Sequence, residues 1–295
     1  MKSNMFEGGW RTPPCDVMTR TGCLMLLLVP LLAGCFPWRE PERPTYYTTL
    51  EAAREKAGEA THVRLYNAGI SEWPEALDGL PHLQHLSLRR NPLTSVAGVG
   101  RLKSLHWLDL GECGLGELPG EIGDLDRLAV LYLNDNRLGG LPPELGRLAA
   151  LQYLNLDRNK LTALPAELGA LGAVKWLRLN MNELTALPAE LAGMTAMRRL
   201  YLRANRLAAV PVAIQGMTGL TDLVLGQNKL EALPSWLPEL RELVHLDLDD
   251  NSLASVSDVL GSMTHLTLLR LERNPLSQEE KQRLKEALPD CHIVF

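Results

Sequence analysis

Residues 128–150 read LAVLYLNDNRLGGLPPELGRLAA, and residues 151–173, which follow directly, read LQYLNLDRNKLTALPAELGALGA. Laid over each other they share their apolar positions, an asparagine and a Leu-Pro pair, at a spacing of 23 residues. The register extends in both directions through Leu105, Leu128, Leu151, Val174, Met197, Leu220, Leu243 and Leu266. A fixed period of this length marks a solenoid in which each unit is one coil. Within a coil, Leu154 and Leu156 alternate with Tyr153, Asn155 and Asp157, so a short strand turns its leucines inward and the other three outward. Leu161, Leu164, Leu168 and Leu171 return to the same interior. One coil cannot bury these side chains alone, and stacking its neighbours makes a continuous core.

The pattern L-x-x-L-x-L-x-x-N-x-L, followed by x-x-L-P-x-x-L-x-x-L, resembles the leucine-rich repeat family from about residue 60 to the C-terminus. The resemblance implies an α/β-type repeat solenoid: a right-handed arc with a parallel sheet on its concave side and short helical or irregular segments on its convex side. Ten strands at ~4.8 Å give a sheet roughly 45–50 Å long.

Asn91, Asn136, Asn159, Asn182, Asn205, Asn228, Asn251 and Asn274 share one register. A carboxamide both donates and accepts, so stacked coils predict an internal amide ladder that satisfies backbone groups where each strand turns. Cys113 takes this place in one coil and reads as a buried substitute, and Ala68 takes it in the first. Leu118-Pro119, Leu141-Pro142, Leu164-Pro165, Leu187-Pro188 and Leu233-Pro234 lead onto the convex side, where proline favours short helical or extended turns. The unit from Leu83 has 22 residues, with SVAGVG in place of the Leu-Pro pair, so its convex segment should differ. Residues 48–60 predict a capping helix with Thr49 as N-cap. Ser277 followed by Glu280 predicts a capping box on a C-terminal helix, and CHIVF a closing strand. That ending resembles the C-terminal caps of leucine-rich repeat proteins, and the expectation is that the domain ends there with no catalytic module after it.

CLMLLLVPLLA (residues 23–33) follows Arg20 and is too short to span a membrane, which needs about 20 residues. It has the layout of a signal peptide. Leu32-Ala33-Gly34-Cys35 resembles the lipobox of bacterial lipoproteins and implies lipidation at Cys35. Residues 1–17 fit no signal layout, and Met18 would open a cleaner one, so the start is Met1 or Met18. The organisation expected is residues 1–35 extension and signal, 36–45 a Pro-rich tether, 46–59 the N-terminal cap, 60–265 the repeats, and 266–295 the last repeat and C-terminal cap.

A net charge of −5 and a pI near 5.8 argue against a nucleic-acid surface. Cys15 and Cys23 would leave with the signal and Cys35 would be acylated, while Cys113 and Cys291 lie some eight coils apart, so no disulfide is expected. There is no Gly-rich phosphate loop, no ordered Ser/His/Asp set and no metal motif. No catalytic residue, metal or cofactor is therefore predicted.

What remains is the outward face of the strands. Trp107, Tyr132, Tyr153, Trp176 and Tyr201 fall on five neighbouring strands, at positions that inward leucines should push into solvent. With Arg178, Arg199 and Arg203 they have the composition of a protein interface. Asp222, Asp247, Asp249 and Asp250 lie alongside as an acidic docking patch, for which calcium is the weaker reading. His62 and His85 share a column near His106, where solvated side chains are expected over a metal site. The reading is a non-enzymatic, protein-binding module of the bacterial envelope, lipid-anchored on the periplasmic face of the outer membrane or at the cell surface, taking a protein, peptide or glycan in its arc. A structural envelope spacer and an unprocessed intracellular or host-delivered scaffold are the alternatives, and in the spacer reading cross-strand aromatic stacking simply stabilises the sheet.

Overall fold

The computed structural model describes residues 45–295. Expectations for the signal, Cys35 and most of the tether lie outside these residues. The period becomes a ladder of strands: β1 (Tyr46–Tyr47), β2 (His62–Arg64), β3 (His85–Ser87), β4 (Trp107–Asp109), β5 (Val130–Tyr132), β6 (Tyr153–Asn155), β7 (Trp176–Arg178), β8 (Arg199–Tyr201), β9 (Asp222–Val224), β10 (His245–Asp247), β11 (Leu268–Arg270) and β12 (His292–Val294). They form one parallel sheet in chain order, as a leucine-rich repeat solenoid requires. Register follows the repeat: Tyr153 pairs with Trp176, whereas His85 pairs with Trp107 across the 22-residue unit. The sheet has twelve strands rather than ten, because β1 and β12 extend it at the two ends.

The leucine columns are buried along the whole length and form one core. The amide ladder is present. Asn159 Nδ2 donates to Leu133 O at 2.9 Å and Leu156 O at 3.0 Å, and its Oδ1 accepts from Leu138 N at 3.1 Å. Asn182 repeats this one coil on. Cys113 is a buried member of the ladder, its thiol donating to Leu88 O at 3.2 Å. Burial pushes that thiol up to about 11, so it is protonated at neutral pH. With no carboxamide at Cys113, Leu93 N–H turns back to Asn91 O at 2.8 Å, as Leu276 N–H does to Asn274 O where the ladder ends.

Pro119, Pro142, Pro165, Pro188 and Pro211 each immediately precede a convex turn of 3-10 helix, five residues long. The short unit has only Val99–Arg101. These turns pack closely through a row of glycines: a methyl on Gly123, Gly146 or Gly169 would lie 2.1–2.3 Å from the carbonyl of Glu144, Glu167 or Glu190. Every coil also turns on a non-glycine residue in the left-handed region, from Asn67 (φ 50°) through Ala204 (φ 56°) to Arg273 (φ 55°). Each of these immediately precedes the ladder position.

The N-terminal helix α1 (Leu50–Glu55) is shorter than predicted, with Thr49 Oγ1 accepting from Ala52 N at 3.2 Å. Near the C-terminus, α2 (Ser257–Leu260) packs against α3 (Gln278–Ala287), and Ser277 Oγ accepts from Glu280 N at 3.1 Å. The reciprocal half of the capping box is corrected by the structure. Glu280 Oε1 accepts from Val256 N and Ser257 N, at 2.6 Å each, so it caps α2 instead of its own helix. One carboxylate oxygen thereby satisfies two orphan N–H groups at the start of α2. Among the described residues no helix is long and apolar enough to cross a membrane.

Candidate functional site

The outward positions of β1 to β7 carry a continuous ribbon of rings. Tyr46 meets His62 at 5.2 Å between centroids, His62 stacks on His85 at 4.2 Å, and His85 on Trp107 at 6.1 Å. Trp107 meets Tyr132 at 5.5 Å, Tyr132 meets Tyr153 at 5.0 Å, and Tyr153 meets Trp176 at 5.8 Å. Arg199 then lies over Trp176 at 4.6 Å, and Arg178 over Tyr201 at 5.3 Å. All five predicted aromatics are on this face, four of them within the ribbon.

Their exposure is corrected by the structure. Trp107, Tyr132, Trp176 and Tyr201 are half-buried, and Tyr153 is only 6 % exposed. Parallel strands are spaced at ~4.8 Å, close to the distance at which rings pack, so each ring covers its neighbour. Sequence reading missed the ribbon's N-terminal half. His62 and His85 belong to a stack, and the column they share with Trp107 held the signal. Burial, helped by the charges of His62 and His106, pulls the His85 imidazole down to about 4. It is neutral at physiological pH.

The acidic patch is also corrected. Asp222 and Asp249 are buried, and their charges are met from within the sheet. Arg270 Nε donates to Asp249 Oδ2 at 2.7 Å, and Glu272 N to Asp249 Oδ1 at 2.8 Å. Asp222 receives His245 at 2.9 Å and lies 3.4 Å from Arg199. Arg203 reaches across two coils to Asp247 at 3.0 Å. Burial raises the Asp247 carboxyl above its usual range, against the opposing pull of the Asp249 N–H. The predicted arginines are similarly engaged, Arg178 with Asp157 at 2.6 Å. Carboxylates and guanidiniums in neighbouring columns neutralise each other, because an unpaired buried charge is strongly unfavourable. This half of the face is a mosaic of ion pairs and not an open negative surface. Among the described residues no group of three His, Cys, Asp or Glu side chains is placed to hold a metal ion.

Two buried polar atoms on the face have no hydrogen-bond partner, the Tyr153 hydroxyl and Asn134 Oδ1. Both side chains are adjacent to Tyr132, one across the ring contact and one two residues along the same face.

A family described as leucine rich repeat matches residues 126–184, 150–207 and 198–253. No curated protein matches the chain. Among solved structures, the chain is similar to the plant peptide hormone receptor RGFR1 in complex with RGF2, with 25 % identity, a TM-score of 0.65, and coverage of 78 % of this chain and 42 % of that one. It is similar to the Arabidopsis receptor kinase HAESA ectodomain in complex with an extended IDA peptide hormone, with 29 % identity, a TM-score of 0.62, and coverage of 73 % and 38 %. InlJ of Listeria monocytogenes shares the fold at 22 % identity and a TM-score of 0.66, over 79 % and 48 % of the two chains. The chain thus spans less than half the length of each of these proteins.

Proposed function

We propose that this leucine-rich repeat solenoid is a non-enzymatic recognition module that holds a protein or peptide partner on its concave face. The observation that carries the reading is the ring ribbon from Tyr46 to Trp176, flanked by Arg178, Arg199 and Arg203 on an open sheet. Half-buried aromatic edges beside guanidiniums held by ion pairs lose little side-chain freedom when a partner covers them, which favours binding. The complexes of RGFR1 and HAESA with peptide hormones support it, since those relatives share the solenoid at 25–29 % identity.

We further propose that the chain is exported in a bacterium and anchored in the envelope by lipid on Cys35. The run before that residue, and the lipobox-like Leu32-Ala33-Gly34-Cys35, support this part. Metabolic labelling with a palmitate analogue should mark the wild type and not Cys35→Ala, and an unlabelled wild type ends the lipid-anchor reading. For the face, crosslinked complexes from envelope extract should vanish for Trp107→Ala/Trp176→Ala while its circular dichroism is unchanged. Complexes that survive this double variant would favour the spacer reading, in which the rings serve only the sheet.

A further inference from the structure

In the column two residues beyond the end of each strand, side-chain oxygens bond to the next coil's backbone. Asp157 Oδ1 accepts from Asn180 N at 2.7 Å, Asn180 Oδ1 from Arg203 N at 2.8 Å, and Asp249 Oδ1 from Glu272 N at 2.8 Å. Glycine interrupts this column twice, at Gly111 and Gly226, and leaves a notch each time. At Gly226 the protein fills its own notch. A methyl there would stand 2.8 Å from Arg203 Nη1 and 2.7 Å from Asp247 Oδ1, and Arg203 and Asp247 are bonded to each other across the gap.

At Gly111 the walls stand close, but no side-chain pair is bonded across them. A methyl would stand 3.0 Å from Asp109 Oδ1, 3.2 Å from Arg89 Nη1 and 3.2 Å from Asn134 Oδ1. Arg89 turns to Glu112 rather than bridging to the far wall. Asn134 donates its Nδ2 to Asp135 at 2.6 Å, but its carbonyl oxygen has no partner, in a side chain only 5 % exposed. A buried, unpaired acceptor costs roughly 1–3 kcal/mol.

We infer that the notch over Gly111 is a subsite for a neutral amide of a bound peptide, a side-chain carboxamide or a backbone amide. This rests on the concave-face reading above and specifies one contact within it. Two lining oxygens accept and one guanidinium donates, so the occupant must both donate and accept. An ammonium has nothing with which to accept and a carboxylate nothing to donate, whereas an amide does both. A hydroxyl also satisfies the walls, which admits sugars by the same chemistry. The neighbouring rings favour a peptide: Trp107 is packed between His85 and Tyr132, Trp176 lies under Arg199, and Tyr153 is buried. Sugars stack on open ring faces, and these rings present edges. The resting notch is filled by a methyl, so an amide enters only when a wall moves, and Arg89, about a third exposed, is the wall that must swing out to admit it.

Isotope-labelled protein titrated separately with acetamide, glucose, acetate and methylammonium tests the assignment by NMR. Acetamide should shift the Gly111 backbone and Asn134 side-chain resonances in a saturable way, and the two ions should not. Gly111→Ala, which fills the notch, and Asn134→Leu, which removes the acceptor, should each weaken that response at least tenfold. Gly226→Ala should leave it unchanged. The inference is overturned if acetamide leaves these resonances unmoved, if the response persists in Gly111→Ala and Asn134→Leu, or if glucose shifts them more than acetamide does. A peptide selected from a random display library separates the two readings. Binding lost in Trp107→Ala/Trp176→Ala but kept in Gly111→Ala would remove the notch and leave the face.

Discussion

Tyr153→Phe separates what the ring ribbon does for the fold from what it does for a partner. The hydroxyl it removes is buried with no well-formed hydrogen bond, only a weak contact with the Asn155 side chain, while the ring it keeps makes the contacts with Tyr132 at 5.0 Å and Trp176 at 5.8 Å. An unsatisfied buried hydroxyl costs roughly 1–3 kcal/mol, and the site's place on the sheet surface, not in the leucine core, argues for the low end. The variant should therefore be more stable by about 1 kcal/mol, or about 2–4 °C in Tm for a domain of this size. Urea denaturation followed by circular dichroism measures it. Alkaline pH adds a second reading. Burial, reinforced by Tyr132, raises the phenol's pKa above its ordinary value. The unfolded chain then releases this proton before the folded one, so the wild type loses stability as pH rises past ~10, and the variant should lose less. A variant destabilised by 1 kcal/mol or more would show that the hydroxyl has an internal partner and would refute the reasoning. If it is stabilised but binds a selected peptide several-fold more weakly, the hydroxyl is satisfied by that peptide.

Asn159→Ala should cost ~1–3 kcal/mol, because it leaves Leu138 N without an acceptor while Leu133 O keeps Asn136 Nδ2 and Leu156 O keeps Asn182 Nδ2; no measurable loss in the same denaturation assay would dismiss the ladder as a stabilising element. Gly146→Ala places a methyl 2.3 Å from Glu167 O and should destabilise by ~1–3 kcal/mol or more as the coils are forced apart, which a lowered Tm reports. His85 stays neutral down to about pH 4 when folded, whereas the unfolded side chain protonates near 6.5, so the protein should lose stability as pH falls from ~6.5 to 4. His85→Gln should flatten that slope in pH-dependent melts, and an unchanged slope would assign it to other groups. Ala204→Gly should stabilise by up to ~1 kcal/mol, since Ala204 sits at φ 56° where a Cβ is unfavourable, and a neutral or lower Tm would show that the turn is unstrained.

The parts legible in the sequence are those that repeat. Leucines recur every 23 residues because each coil must bury the same stripe, and the asparagines recur because each strand end leaves the same backbone groups unpaired. What the sequence concealed depends on contacts that skip the period. Arg203 reaches Asp247, 44 residues on, past a glycine that makes room for it, so a column of aspartates that reads as a negative patch is neutralised from two coils away. Glu280 follows Ser277 at capping-box spacing, yet its carboxylate accepts from Val256 N and Ser257 N at the start of α2. The aromatics were placed on the correct face but credited with too much exposure, because a residue-by-residue reading of outward positions ignores how far a ring reaches toward the next strand. The left-handed turns gave no signal, since the residues there include Arg, Glu, Met and Ala as well as Asn and Asp.

The two halves of the face differ in what they can still offer a partner. From β8 to β11 the charged groups are matched within the sheet, and covering them would remove water from ion pairs without adding new ones, which yields little net affinity. From β4 to β7 the balance is different: ring edges remain half-exposed, and both unpaired buried atoms of the face, Asn134 Oδ1 and the Tyr153 hydroxyl, flank Tyr132. A partner that satisfies those atoms removes a penalty the free protein carries, and one that lacks the matching group leaves them buried and unpaired. A site with unfilled hydrogen-bonding positions discriminates more sharply than an apolar one of the same area. Affinity and selectivity are therefore expected to centre on β4–β7, with the arginine–aspartate mosaic acting as the rigid flank that keeps the strands in register.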